Sequence, residues 1–397
     1  MARTVIALVG ENQNGILDCQ SRRFSALLEP LGLHGEVVQL GTPDAGDRLA
    51  ELLKGDVAFG WGYAGVGSRL TLEGQGLWDR LRVPFVSVLA DAPCMMPANH
   101  HVGGSWVVNA YVYREWLELA RVHIRSRQVC GLVRMGVVPN EERHAVPWSR
   151  RPLRMVFVKS GADPDAQRTR WDNWPARLRV VLHDSAETLA KLGTGPIADV
   201  VLECLAAHGL ALPHGQPLLF GILHELDTYI RALRATAMTR ALLPLPVHVI
   251  GEGWSHLAAE DGRARFHNSM HARELDSLYA QTQFLANVTP NFGSGAHERV
   301  LRGFAARSCV VSDLNDHARH QLDELPSFHG FEWNDPDLAE RLANLFYGNT
   351  RFDDQLEPAE AYVASNHGPG NFLQDIVDMA DLARLSPRMA GYMLDAA

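Results

Sequence analysis

Short apolar runs alternate along the chain with longer stretches whose apolar positions recur at helical spacing. That order predicts an α/β protein with mostly parallel sheet covered by helices. In the first half, Thr4 to Gly10, Glu36 to Leu40, Asp56 to Gly60 and Val83 to Ala90 read as strands. Arg22 to Leu33 and Arg48 to Lys54 read as the crossover helices between them. Tyr111 to Val122 has helical spacing, and Val129 to Val138 supplies a further strand before the polar stretch Asn140 to Arg151. A Rossmann-like first domain over 1–150 follows.

The second half starts again on a buried-strand pattern, Leu153 to Val158, which breaks into the polar loop Lys159 to Pro164. Helical patterns run from about Ser185 to His208 and from Gln216 to Leu242. The strand Pro246 to Ile250 then ends in Gly251-Glu252-Gly253-Trp254. A second α/β domain is read over 151–370. From Asn371 to Ala397, apolar residues at Phe372, Ile376, Met379, Leu382 and Leu385 predict a C-terminal helical segment.

With 397 residues, two domains are the natural division, and 46% apolar with 21% charged residues is an ordinary globular balance. The net charge of −9 excludes broad electrostatic attraction to nucleic acid or anionic lipid, so an anionic ligand must be held locally. Five scattered cysteines lack the spacing of a zinc or redox pair. The start of the chain has no signal-peptide pattern and no stretch suits a membrane span, which places the protein in the cytoplasm.

Candidate chemistry lies at strand ends, where open α/β sheets bind ligands. Gly251 and Gly253 allow close backbone approach to a ligand; a turn needing positive φ explains them equally. After the strand-like Phe284 to Val288 comes the small-residue loop Thr289 to Ala296, leading into a helix at His297-Glu298-Arg299. Free N–H groups and the positive dipole end of such a helix suit a diphosphate, with His297 and Arg299 adding charge or hydrogen bonds and no metal required. The structural alternative is that Ser294 caps the helix while Glu298 complements its dipole. Other chemistries fit poorly. No Gly-x-Gly-x-x-Gly follows Val9, the spacing of Gly60 to Gly67 is wrong for a dinucleotide, and no Walker loop or Gly-x-Ser-x-Gly elbow is present. His100-His101 and His317-Ala318-Arg319-His320 lack partners at metal-ligand spacing, so no metal site is expected.

Gly251-Glu252-Gly253-Trp254, Phe266-His267-Asn268, Glu274 to Tyr279, Asn287 and Gly295 to Leu301 occur in an order that resembles the CgeB-like glycosyltransferase group, over Val247 to about Leu345. The helix-then-strand run from Arg299 to Asp313 is similar as well, and Asp91-Ala92-Pro93 after a strand gives a fainter echo in the first half. The resemblance implies a GT-B architecture: two Rossmann-like domains facing a central cleft, with a C-terminal helix crossing between them. It also implies transfer of a sugar from a nucleotide-sugar to an acceptor hydroxyl, with no metal or other cofactor. Lys159 and Arg299 would then hold the diphosphate in a cradle of Ser294, Gly295 and His297, with Glu298 beside it. Gly251, Gly253, Trp254 and His267 would border the nucleotide, although Trp254 reads equally as packing and His267 as a surface residue. Asp91, His100 or its neighbour His101, and secondarily Glu11, are the candidate bases; Asp91 serves as well to cap a turn.

Two positions depart from the family pattern. Arg302 stands where an acid often contacts the donor ribose, and Arg307 where glycine is usual, predicting a differently shaped loop. With Arg302 there, Glu298 substitutes for the acid, the donor differs, or transfer is lost. A catalytically silent module that binds a nucleotide-sugar or a protein, and an epimerase or hydrolase on the same scaffold, are the alternatives. The acceptor class, whether protein, glycan, lipid or small molecule, stays open.

Overall fold

The computed structural model describes residues 2–100, 104–124, 129–212 and 217–394, with side chains for all of these except 13, 123, 124 and 386–394. The chain divides into two compact units: Met1–Val138 together with Ser365–Ala397, and Pro139–Ala364.

In the first unit β1 (Arg3–Val9), β2 (Leu33–Gln39), β3 (Val57–Tyr63), β6 (Phe85–Leu89), β7 (Val107–Tyr111) and β8 (Cys130–Leu132) form one parallel sheet in the order β2-β1-β3-β6-β7-β8. A small antiparallel pair, β4 (Thr71–Leu72) and β5 (Gln75–Gly76), sits between β3 and β6 in the chain. Because β1 and β6 are buried on both faces, their sequences are continuous apolar runs rather than alternating ones.

Several boundaries differ from the sequence reading. The first crossover helix is Ile16–Ser25; of the residues read as its second half, Glu29–Leu31 form a short 3-10 turn and only Leu33 enters β2. Gly60-Trp61-Gly62-Tyr63 is not a loop but the buried end of β3. Glycine is needed at position 60 because a Cβ there would lie 2.8 Å from the Trp78 ring and 2.9 Å from Phe85. Tyr111 closes β7, so the predicted helix starts only at Arg114. The single helix expected between Ser185 and His208 is two, Ala176–Lys191 and Ala198–Ala207, interrupted at Gly193 and Gly195-Pro196.

The C-terminal helix Pro369–Leu394 belongs to the first unit. Phe372, Ile376, Met379, Ala380 and Ala383 join Phe24, Trp61, Tyr63 and Val86 in one core cluster. The Phe372 ring stands 4.4 Å from that of Phe24, and Arg134 Nε and Nη2 clasp Asp375 from the same unit.

In the second unit β9 (Leu153–Val158), β10 (His248–Ile250), β11 (Arg265–His267), β12 (Thr282–Asn287), β13 (Cys309–Asp313) and β14 (Phe328–Phe331) are all parallel, in the order β11-β10-β9-β12-β13-β14. Numbered from its own first strand this is the doubly wound order 3-2-1-4-5-6, and the strand order reverses between β9 and β12. Residues 139–150, read above as the end of the first domain, fall in this unit. Trp148 is buried in its core, where its indole N–H donates to the Gln283 carbonyl at 2.8 Å.

Candidate functional site

The reversal between β9 and β12 opens a crevice at the carboxyl edge of the second sheet, and Lys159 and the loop 289–297 stand on its two sides. Lys159 directly follows β9. Its backbone N–H donates to the Ile250 carbonyl at 2.8 Å, and its own carbonyl accepts from Trp254 Nε1 at 3.1 Å. Trp254 is thus a packing residue, buried against Phe157, that fixes the Lys159 backbone. Gly251 is explained by the same contact. At φ +142° its Cβ would fall 2.3 Å from the Lys159 carbonyl oxygen, so glycine here lets the β10 turn pack on the β9 turn. Gly253, at φ +86° against the Gly161 carbonyl, serves the same packing. Gly251→Ala is therefore expected to lower the melting temperature of the second unit by several degrees, because backbone rather than a flexible side chain must move. Thermal unfolding followed by circular dichroism checks it.

Loop 289–297 is pinned from beneath. The Thr289 N–H donates to Asp313 Oδ1 at 2.7 Å, and Asn315 Nδ2 donates to the Phe292 and Gly295 carbonyls at 3.1 and 2.9 Å. Asn291 Nδ2 donates to Asp227 Oδ1 at 2.9 Å, while Asn291 Oδ1 accepts from Arg234 Nη1 at 3.0 Å. Gly295 is half-buried and Ser294 is exposed. The helix Glu298–Ala305 is capped by His297, not Ser294: His297 Nδ1 accepts from the Arg299 N–H at 3.3 Å. An accepting Nδ1 requires an unprotonated nitrogen. Burial first, then Arg299, Lys159 and Arg231, hold the His297 pKa well below its ordinary value. The sequence reading gave His297 a possible charge; the structure makes it a neutral cap.

Three cationic side chains share this field. Arg299 Nη1 donates to Asn287 Oδ1 at 2.7 Å. Arg231, on the long helix Pro217–Leu242, pairs with Asp227 with Nε 2.7 Å from Oδ2. Lys159 is pushed down from 10.5 to about 7 by burial, then by Arg299 and Arg231, against the opposing pull of Asp227 and Asp313. Those two carboxylates are already engaged. Asp227 holds Arg231 and Asn291, and Asp313 accepts from the Thr289 N–H, Thr194, Ser312 and Trp333. Asp227 offsets Arg231, and the cationic character left in the crevice comes from Arg299 and Lys159, suited to an anion.

Arg302 is buried between two carboxylates: Nη2 lies 2.6 Å from Asp276 Oδ1 and Nη1 2.9 Å from Glu298 Oε1. Burial alone would lower its pKa, but Glu298, Tyr279 and Asp276 hold it above the ordinary value. Glu298 is committed to Arg302 rather than unoccupied beside the crevice. Arg307 takes a positive φ of +56°, a backbone conformation that glycine adopts more easily, and reaches Glu360 at 2.5 Å.

The remaining predicted residues stand on other elements, His267 in the second unit and the others in the first. His267 is exposed at the end of the edge strand β11 and stacks on His248, Nε2 to Nδ1 2.9 Å. In the first unit Glu11 is exposed after β1, and Asp91 is half-buried after β6. His100 does not stand in a polar loop. It ends the short helix Pro97–His100, 1% exposed, with Nδ1 3.0 Å from Tyr111 Oη. His101 lies outside the described residues. Sequence reasoning missed Asp227, Arg231, Asn291 and Asp313. The available signal was Asp227, Arg231 and Arg234 on one side of a largely apolar 26-residue helix. Among the described residues no group of three His, Cys, Asp or Glu side chains is placed to hold a metal ion, and no helix is long and apolar enough to cross a membrane.

No protein-family model and no curated protein sequence matches the chain. Solved structures do. AviGT4, a glycosyltransferase involved in avilamycin A biosynthesis, is similar at 10% identity over 97% of this chain and 98% of that one, with a TM-score of 0.50. An α-glucosyltransferase solved with UDP and a 13-mer DNA is similar at 8% identity over 95% and 99%, TM-score 0.50. HepE from Anabaena, solved with UDP and glucose, is 12% identical over 95% and 99%, TM-score 0.47. At such identities the likeness is one of fold. The chain has the α/β fold of GT-B glycosyltransferases, with two parallel six-stranded sheets.

Proposed function

We propose that the chain is a glycosyltransferase that moves a sugar from a nucleotide-sugar to an acceptor hydroxyl, with the donor diphosphate seated in the crevice of the second unit. The observation that carries this reading is the convergence of Lys159, Arg299 and Arg231 at the strand-order reversal, with both nearby carboxylates already engaged. As the sugar–phosphate bond breaks, negative charge grows on the leaving diphosphate. Cations held in place before the reaction stabilise that charge without reorganising. Lysine and arginine doing this work supports transfer without a metal. If transfer inverts the anomeric carbon, a base takes the acceptor proton, for which Asp91 is the first candidate and Glu11 the second, since His100 is buried against Tyr111. The order of motifs from Val247 to Leu345 supports a CgeB-like member of the class.

The test is a thermal-shift and calorimetric screen of nucleoside diphosphates and nucleotide-sugars, with EDTA present, on the native chain and on Arg299→Ala. UDP, the nucleotide held by the α-glucosyltransferase above, comes first. One nucleotide is expected to raise the melting temperature of the native protein and to do so much less in Arg299→Ala. A folded chain that binds none of them sinks the reading.

A second reading rests on Arg302. Its two ion pairs occupy the place of the ribose-binding acid, which fits a protein that binds a nucleotide-sugar without transferring it. Nucleotide binding with no glycosylated product over a panel of acceptors would favour it.

A further inference from the structure

We infer that the second unit carries another anion site, at the opposite, amino-terminal edge of its sheet, which takes a small phosphorylated molecule. The site is a cleft of about 540 Å³ between residues 147–150, the start of β9 and β12, and residues 348–351. That volume falls in the range of small-molecule sites.

Its floor is built rather than incidental. Trp148 and Gln283 exchange hydrogen bonds, indole Nε1 to the Gln283 carbonyl at 2.8 Å and Gln283 Nε2 to the Trp148 carbonyl at 2.9 Å. Over this pair lies Arg154, with its guanidinium 5.5 Å from the Trp148 ring centre and 4.9 Å from that of Phe284. Nε donates to the Phe346 carbonyl at 2.8 Å, Nη2 to Leu345 and Gly348 at 2.7 and 2.6 Å, and Nη1 to Gln283 Oε1 at 2.6 Å. Arg154 thereby caps the end of helix Leu338–Tyr347 with no carboxylate partner, and keeps one Nη1 hydrogen for the cleft. Burial lowers its pKa, as expected of a cation lacking a full counter-charge.

Arg150 and Arg351 complete the lining, both exposed and neither in an ion pair among the described residues. No lining residue is acidic. Asp353, the carboxylate beside the cleft, accepts from the Ser149 N–H and Oγ, each at 3.2 Å. In a chain of net charge −9, three guanidinium groups around one polar cleft are a local reversal of sign. Arginine forks with adjoining hydroxyl and amide groups at Thr350 and Asn349 match phosphate oxygens better than they match a neutral sugar. A large apolar molecule would strand the polar lining.

The experiment uses full-length Arg299→Ala protein, in which the donor crevice is weakened, and inorganic pyrophosphate as the probe in calorimetry. Pyrophosphate is expected to bind this protein and to lose at least tenfold in affinity when Arg150→Gln and Arg351→Gln are added, with the melting temperature unchanged because both side chains are exposed. Failure of pyrophosphate to bind Arg299→Ala, or equal binding with both rim arginines replaced, overturns the inference. Neither result bears on nucleotide binding by the native chain, which tests the donor crevice separately. A soluble ester and a lipid headgroup share this chemistry. Co-flotation with phosphatidylglycerol vesicles that needs both arginines assigns the headgroup, and pyrophosphate binding without flotation assigns the soluble ester.

Discussion

Lys159→Met is expected to weaken nucleoside diphosphate binding about 10- to 100-fold at pH 7, the effect of losing a hydrogen bond between charged groups worth ~1.5–3 kcal/mol. The same substitution should change how binding depends on pH. In the unliganded protein burial, Arg299 and Arg231 bring Lys159 to about 7, so near neutrality it is only partly charged. A bound diphosphate favours the charged form, and binding must therefore take up a proton. The sign follows. Affinity of the native protein should fall as pH rises from 7 to 9, by up to about tenfold per unit. Lys159→Met should bind weakly and with a flat profile over that range. Calorimetry in two buffers of different ionisation enthalpy measures the proton uptake directly. An identical slope in native protein and Lys159→Met would remove Lys159 from the site.

The same shift affects stability without ligand. Between about 7 and 10.5 the unfolded chain holds a proton on Lys159 that the folded chain has lost. This lysine therefore lowers stability fully below pH 7, and the penalty is relieved as pH rises through that window. Replacement by methionine, which removes a cation from among cations, should leave the unliganded protein at least as stable at pH 6. A substitution that weakens binding while leaving the fold at least as stable is the pattern of a binding site rather than of a core position.

Arg302→Met is expected to cost about 3 kcal/mol in the second unit, near the lower end of what breaking a buried ion pair costs. The side chain of Arg302 is 5% exposed and bridges Asp276 and Glu298, themselves 14% and 24% exposed. Removing it leaves two partly buried carboxylates facing each other without a cation. Arg302→Glu, which restores the family acid, should be worse, because it brings three acids together. The triple substitution Arg302→Met, Glu298→Gln, Asp276→Asn should recover much of the loss, since replacing a whole buried ionic group is often close to neutral. Denaturant unfolding of all three variants is the check. A loss below 1 kcal/mol for Arg302→Met would mean that the arginine is not integral to this packing. It would then be open to a role toward ligand.

Arg302 also shows how far sequence alone reaches. Its departure from the family pattern is visible in the chain, but the three consequences left open there differ only in what surrounds residue 302. Asp276 lies 26 positions away on the preceding helix and becomes its partner only when helices Ala272–Ala280 and Glu298–Ala305 lie together. The capping of helix Glu298–Ala305 was misread for a local reason. Ser294 is the favoured residue type, yet the chain enters the helix three residues later, and the imidazole of His297 takes the place of a hydroxyl.

The sequence by itself determined three strands of the second unit, β9, β10 and β12, and where they end to within a residue. The part of β9 buried in the sheet, Met155 to Phe157, continues the apolar run to Val158, and the first polar residue after it is Lys159. It likewise located the loop between β12 and the helix at Glu298, with Arg299 in that helix. Only the tertiary structure decided which distant groups meet there. Asp227, Arg231 and Arg234 recur on one side of a 26-residue helix, but that spacing does not say which other element this side meets. Gly251 and Trp254 read on the sequence as a turn and a packing residue or as the border of a ligand, and the fold gives them to the Lys159 backbone, because close approach to a chain and close approach to a ligand ask the same thing of a glycine. Local pattern fixes where a strand stops; the order in which strands lie side by side, and thus the field at their ends, is set by packing across the whole sheet.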